Sequence, residues 1–267
     1  MAEPFVALVT GASSGIGEAT ARRLAREPGA RIVLVARRED RLRQLADELG
    51  GASVIAVDLT DDSAPGQIRQ AIESEHERLD LLVNNAGSSW HGSFGEAGWA
   101  NMDLHMKLNF EAQLRLTEAM LPLLRETAQA SNRRVSIVNV ASTAARVSRP
   151  KAGAYSASKA ALAMWSDALY AEEQPQRVHV GLVLPGFVAT EGFPQTELRS
   201  RALTRWIVSR PERVAEAIVD AGPGGKAERY VPRPYWLAAA ARILAPVLVR
   251  RSTAGGGFRP SPATKDE

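Results

Sequence analysis

Six apolar runs recur along this 267-residue chain, at residues 5–9, 31–36, 53–57, 79–83, 135–140 and 178–184, and stretches of helical periodicity separate them. Continuous Val/Ile/Leu runs describe strands buried on both faces, and strands that alternate with helices pair in parallel. Right-handed crossovers wind such a sheet in two directions from its middle. A crevice then opens at the carboxyl ends of the strands. The expected fold is α/β, a doubly wound parallel sheet with helices on both faces. Residues 1–234 suit one large domain, since no linker rich in Gly, Pro and Ser interrupts the first 232.

Composition narrows the chemistry. There is no cysteine, which excludes disulfides, thiolate metal sites and thiol nucleophiles. His76, His91, His105 and His179 show no metal-ligand spacing, so no metal is expected, and only His91 falls in a plausible substrate loop. Met1 to Pro4 lead directly into the first strand, so no signal peptide is expected. The net charge of +3 is uneven: residues 226–267 carry eight Lys or Arg against three Asp or Glu. Nucleic-acid binding is not expected, because the basic tail encloses an apolar run rather than base-reading side chains.

Tyr155 and Lys159 stand four residues apart and share one helix face. An ammonium held beside a phenol stabilises the phenolate and lowers its pKa. Such a tyrosine can pass a proton to or from a substrate oxygen, the acid/base half of interconverting an alcohol and a carbonyl. The same spacing also occurs on ordinary helix surfaces, so its companions decide. Ser142, just past the strand at 135–140, can hydrogen-bond the oxygen that the tyrosine protonates.

Near the N-terminus, Thr10-Gly11-Ala12-Ser13-Ser14-Gly15-Ile16-Gly17 lies between the first strand and a helical stretch at 18–26. Its glycines allow a tight turn, and the helix start offers free N–H groups to a pyrophosphate. Arg37 follows the second strand, where dinucleotide folds usually place an acid for the ribose 2′-hydroxyl, and Arg38 comes next. A guanidinium fork suits a 2′-phosphate, which favours NADP over NAD.

The spacing T-G-x-x-x-G-x-G, then Asn84-Asn85-Ala86-Gly87, Ser142, Tyr155 and Lys159 resembles the short-chain dehydrogenase/reductase family, from Phe5 to about Tyr230. The resemblance implies a Rossmann-type sheet of about seven strands, the last near residues 229–231. It implies an NADP-dependent oxidoreductase interconverting a secondary alcohol and a ketone or aldehyde, by hydride transfer with a relay of Asn109, Ser142, Tyr155 and Lys159. Asn109 would hold a water linking the lysine to solvent, and Lys159 would also grip the nicotinamide ribose. On the residues alone, Asn109 is as well read as a helix-bending or capping asparagine.

The cofactor would further meet Gly11, Ser13, Ser14, Gly15, Ile16 and Gly17 at the phosphates, with Arg37, Arg38, Asp58 and Leu59 around the adenosine. Asn85, Ala86, Gly87, Pro185, Gly186, Val188 and Thr190 would line its nicotinamide half, beside Tyr155 and Lys159. Asp58 is equally an N-cap for a helix after Thr60, and the Asn85–Gly87 segment is half scaffold. A cytoplasmic location is expected from the lack of a signal peptide and because nicotinamide coenzymes are held there, and a homodimer or homotetramer is in keeping with the resemblance. Ala157, Ala160, Ala161 and Ala163 offer a close-packing surface for the assembly.

Residues 190–210 would form a substrate lid whose apolar side chains point to a lipophilic substrate, opposite Ser88, Ser89, Trp90, His91 and Phe94. Residues 235–251 are expected to form one apolar helix, packed on its own domain or a second subunit, or in peripheral contact with a membrane. A flexible tail, 252–267, is expected after it. The alternative function is a catalytically silent NADP-binding sensor or scaffold.

Overall fold

The computed structural model describes residues 3–191 and 207–254. Seven strands form one wholly parallel sheet: β1 (Phe5–Thr10), β2 (Ala30–Ala36), β3 (Ser53–Ala56), β4 (Leu81–Asn84), β5 (Val135–Val140), β6 (Val178–Pro185) and β9 (Glu228–Val231), in the order β3-β2-β1-β4-β5-β6-β9. The order reverses at β1, so the strands on either side wind away from it. The crevice opens between the carboxyl ends of β1 and β4.

Period-two alternation assigns each strand residue to a face. Phe5, Ala7 and Val9 point to one layer, with α1 (Gly15–Leu24), α2 (Glu39–Glu48) and α7 (Pro211–Ala221). Val6 and Leu8 point to the other, against α3 (Ala64–Glu75) and α5 (Ala112–Ala130), with Leu169 of α6 (Gly153–Glu173). Both faces are covered. That is why these strands read as unbroken apolar runs.

Several boundaries differ from expectation for local reasons. Helix α1 begins at Gly15, three residues early, because the glycine-rich turn passes straight into it. Strand β4 begins at Leu81 rather than 79; the buried Asp80 carboxylate instead accepts the Val6 N–H at 2.8 Å and two bonds from Arg78 at 2.6 and 3.0 Å. Helix α3 starts at Ala64 after Ser63, leaving Asp58 to close a turn of its own. Helix α4 (Phe94–Met106), kinked at Gly98, joins α5 through a π-helical turn over Lys107–Glu111, so Asn109 does not sit in a regular helix.

The single C-terminal helix expected at 235–251 is two: α8 (Trp236–Leu244) and α9 (Pro246–Ala254). Pro246 supplies no N–H and disfavours helical geometry at Ala245, which adopts φ −136°, ψ 59°. Helix α9 also takes in 252–254 of the expected flexible tail, and 255–267 lie outside the described residues. Within the expected lid, 192–206 lie outside them too. Its flanks are tied by a two-stranded parallel ladder, β7 (Phe187–Val188) with β8 (Val208–Ser209), which the sequence reading did not contain.

Candidate active site

The turn after β1 is built to meet an anion. Gly11 and Gly15 take positive φ, 65° and 58°, and a Cβ on Gly17 would lie 2.1 Å from the Gly11 carbonyl oxygen. Ser14 precedes α1 without a side-chain cap, so the first N–H groups of the helix are left for a ligand. Thr190 stands over Gly15, its Cγ2 3.0 Å from where a Cβ would be. The turn is pinned to β4: Thr10 Oγ1 accepts from the N–H groups of Asn85 and Ala86 at 2.9 and 3.0 Å, and Asn85 Nδ2 donates to the Thr10 carbonyl at 2.9 Å. Asn85 thus acts through its amide as scaffold. Ile16 packs against the core and Leu59 is buried.

The two arginines after β2 diverge. Arg38 turns onto the glycine-rich turn, with Nη2 and Nε donating to Ser13 Oγ at 3.2 and 3.3 Å. Arg37 is 74% exposed and only approaches Asp58, at 3.6 Å. Asp58 accepts from the N–H and hydroxyl of Thr60 at 2.9 and 2.7 Å. Burial works to raise its pKa, but those bonds and the Arg37 charge prevail and hold the carboxyl below the ordinary value. The uncapped helix start and the turn that Gly17 lets pack against Gly11 fit the pyrophosphate of a dinucleotide.

Around the carboxyl end of β5 the expected relay residues converge. Ser142 Oγ accepts from the Ala144 N–H at 3.1 Å, donates to the Pro185 carbonyl at 3.3 Å and is a hydrogen-bond partner of the Tyr155 phenol. Lys159, 4% exposed, donates to the Val140 carbonyl at 2.8 Å. Gly87 faces both Lys159 and Asn109, since its Cβ would lie 3.3 Å from Lys159 Nζ and 2.8 Å from Asn109 Oδ1. Asn109 Oδ1 accepts from the Ser88 N–H at 2.9 Å, while Nδ2 donates to the Ser88 carbonyl at 3.0 Å and Ser158 Oγ at 3.1 Å. A π turn widens the helix by one residue and aims that amide inward.

One electrostatic expectation is corrected. The Tyr155 phenol is raised, not lowered: burial dominates, and the Ser142 bond and Arg149 charge only partly offset it. Lys159 does not supply the expected lowering, its ammonium being turned to the Val140 carbonyl. Its own pKa falls from 10.5 to about 8, through burial. Between about 8 and 10.5 the unfolded chain therefore holds a proton that the folded chain has released, and raising pH across this window favours folding. The unfolding free energy of the parent should accordingly rise relative to Lys159→Met as pH increases from below 8 toward 10.5. Denaturant melts of both proteins at several pH values measure this, and a constant difference would refute the buried, depressed lysine.

Three further residues enter the crevice: His105 and Arg149, for which no site role was expected, and Tyr235, expected only within the apolar helix at 235–251. His105 is fully buried; its Nε2 accepts the Trp90 N–H at 3.1 Å while Nδ1 faces the Asn101 carbonyl at 2.7 Å, and its ring meets Tyr155 edge-on with centroids 6.1 Å apart. Burial lowers its pKa, so a neutral imidazole props the tyrosine. Arg149 lies 4.8 Å over the Phe187 ring with Nη1 buried, and its charge reaches Tyr155. Tyr235 lays its ring on Gly186, where a Cβ would fall 1.6 Å from Cε2, and its hydroxyl donates to the Ile207 carbonyl at 3.0 Å. Nothing in the periodicity marks these three. Only the glycine at 186, with no side chain in the way, hinted at close approach.

Of the small residues expected to face a partner subunit, Ala157 is exposed and Ala160 and Ala161 are half-buried, but Ala163 is fully buried against the domain's own core. The outward face of α6 carries Met164 instead, 65% exposed.

Comparison with known proteins agrees with this fold. The short chain dehydrogenase family model matches residues 5–200. A ketoacyl reductase, HetN, of Nostoc is 34% identical over 218 residues, covering 80% of this chain and 74% of that protein. The Pseudomonas aeruginosa RhlG/NADP active-site complex superimposes with a TM-score of 0.74 at 29% identity, over 85% of this chain and 93% of its own. A 3-ketoacyl-(acyl-carrier-protein) reductase from Brucella melitensis complexed with NADH does so with 0.77 at 28% identity, over 85% and 96%.

Proposed function

Because this chain belongs to the short-chain dehydrogenase family, and is therefore an oxidoreductase acting on CH–OH or carbonyl groups, we propose that it is an NADP-dependent reductase of lipophilic ketones or aldehydes. The reading is carried by one observation: Tyr155, Ser142, Lys159 and Asn109 meet at the strand ends beside an uncapped glycine-rich helix start. NADP is preferred to NAD for the Arg38–Ser13 pair, with Arg37 close by. Solved relatives hold either coenzyme, so the arginines bear the choice. A lipophilic substrate is supported by Trp90, Phe187 and the apolar residues at 193, 198, 203, 206 and 207, and by the ketoacyl chemistry of the Nostoc relative.

The bound nicotinamide supplies the hydride. Tyr155 gives its phenolic proton to the substrate oxygen, and the raised pKa keeps that proton in place at neutral pH until charge develops on the oxygen. Ser142 donates a hydrogen bond to the same oxygen, stabilising the developing charge. Arg149 adds a cation whose field favours the phenolate left behind. Lys159 holds the coenzyme ribose and returns a proton toward Tyr155. Asn109, braced on Ser88 and Ser158, positions the Gly87 turn beside Lys159. Oxidation of an alcohol runs these steps in reverse.

Gly11, Ser13, Ser14, Gly15, Ile16 and Gly17 would hold the phosphates. Asp58 and Leu59 would flank the adenine, and Pro185, Gly186, Val188 and Thr190 would line the nicotinamide. Residues 1–234 act as one catalytic domain, in a cytoplasmic homo-oligomer joined through the outer face of α6.

NADPH oxidation against ketones and aldehydes graded from short alkyl to long-chain and steroid-sized is the direct test. Turnover that grows with apolar size and is faster with NADPH than NADH is expected. Coenzyme binding without turnover of any member would leave the chain a silent sensor.

A further inference from the structure

The C-terminal helix pair inverts the usual amphipathic pattern. In α8 the small Ala239 packs inward while Trp236, Leu237, Ile243 and Leu244 point out, the last two 79% and 83% exposed. In α9, Val247 and Leu248 continue the face, Leu248 at 67% exposure. A water-facing helix places its large apolar residues toward the core. Here the largest are turned away from it, and contiguous apolar patches of this kind mark an interaction site.

Charge identifies the occupant. Between Glu228 and Asp266 the sequence has no carboxylate, whereas Arg233, Arg242, Arg250 and Arg251 flank the apolar face, and none of the four is ion-paired among the described residues. A two-fold contact between copies would set these arginines against themselves, because an isologous interface meets its own patch. The remaining tail offers little to cover the face, since residues 255–267 contain one large apolar side chain, Phe258. An anionic bilayer supplies both requirements, hydrocarbon for the apolar face and phosphate for the guanidinium groups. Among the described residues no helix is long and apolar enough to cross a membrane, so the pair would lie in the interface plane.

We infer that α8 and α9 form a docking surface for anionic lipid. The surface adjoins the crevice, because Tyr235, the residue before α8, covers Gly186 and bonds Ile207. The inference goes beyond the reductase reading and holds whatever carbonyl compound is reduced.

Co-sedimentation of the full chain with vesicles of phosphatidylcholine plus phosphatidylglycerol, and of phosphatidylcholine alone, tests it. Binding to the anionic vesicles that weakens with salt is expected. Ile243→Asp combined with Leu244→Asp, both on the exposed face, should lower the bound fraction roughly tenfold or more while leaving the circular dichroism spectrum intact. Arg250→Gln with Arg251→Gln should reduce the preference for phosphatidylglycerol. Failure of the parent to sediment with either vesicle, or equal binding by parent and aspartate variant, overturns the inference. So does a parent dimer that the aspartate variant converts to monomer in size-exclusion chromatography, which would make the face a subunit interface. Vesicle binding needs no turnover, so a failed reductase assay leaves this result standing, and the converse holds.

Discussion

Tyr155→Phe is expected to lower kcat by about 10²- to 10⁴-fold, the usual share of a positioned general acid. The substitution deletes one oxygen and its proton and leaves the ring to pack against His105 as before. Coenzyme affinity, measured by fluorescence titration, should stay within a few-fold of the parent. Lys159→Met should damage both turnover and coenzyme binding, because it removes a cation that faces Gly87. Ser142→Ala should follow the phenylalanine variant in kind, costing turnover without affinity. Single-turnover reduction with saturating coenzyme separates these outcomes, and retention of most of the parent rate by the phenylalanine variant would remove the phenol from the chemistry.

The second large effect concerns coenzyme choice. Arg38→Ala should weaken NADPH binding by roughly ten- to a hundredfold while changing NADH little, since charge-assisted bonds to a phosphate contribute on the order of 1.5–3 kcal/mol. Arg37→Asp should act in the same direction with a smaller effect on NADPH, because Arg37 is largely solvated and already near a carboxylate. Arg38 is held by Ser13 at the rim of the glycine-rich turn, so less ordering remains to be done when the phosphate arrives. Paired titrations of each variant with both coenzymes decide the matter. Equal affinities in the parent would place both guanidinium groups in solvent.

What could be read from the chain followed from how each signal is encoded. Strands buried on both faces must be apolar throughout, so β1, β2, β5 and β6 were plain to within a residue or two. Gly11 and Gly17 were legible for a steric reason, and Tyr155 and Lys159 because helical spacing puts them on one face and Ser142 and the glycine-rich turn accompany them. Side-chain choices between competing partners were not legible. The turn of Arg38 to Ser13 and of Arg37 toward Asp58 depends on loop geometry that two adjacent arginines cannot reveal. The direction of the Tyr155 shift depended on burial, and no sequence spacing reports burial. His105 and Arg149 come from elements far from the motifs, and only tertiary packing brings them to the phenol. The break at Ala245–Pro246 was announced by the proline, although the length of the apolar run argued for continuity.

The position of β1 has a kinetic consequence for a chain made from its N-terminus. Its partners are β2, whose register joins Ala7 to Ile32, and β4, which joins Ala7 to Leu81. During synthesis the second edge of β1 therefore stays open until some seventy further residues have followed, and the Val6 N–H waits for the Asp80 carboxylate. Every ladder of the main sheet is parallel and spans a crossover, so loop-closure entropy is met before pairing compensates it. Strands held open in this way are Val/Leu-rich and prone to pair with other chains. A nascent chain of this architecture is most exposed to aggregation before β4 appears, and its refolding yield should depend on protein concentration more steeply than that of a helical protein of equal length.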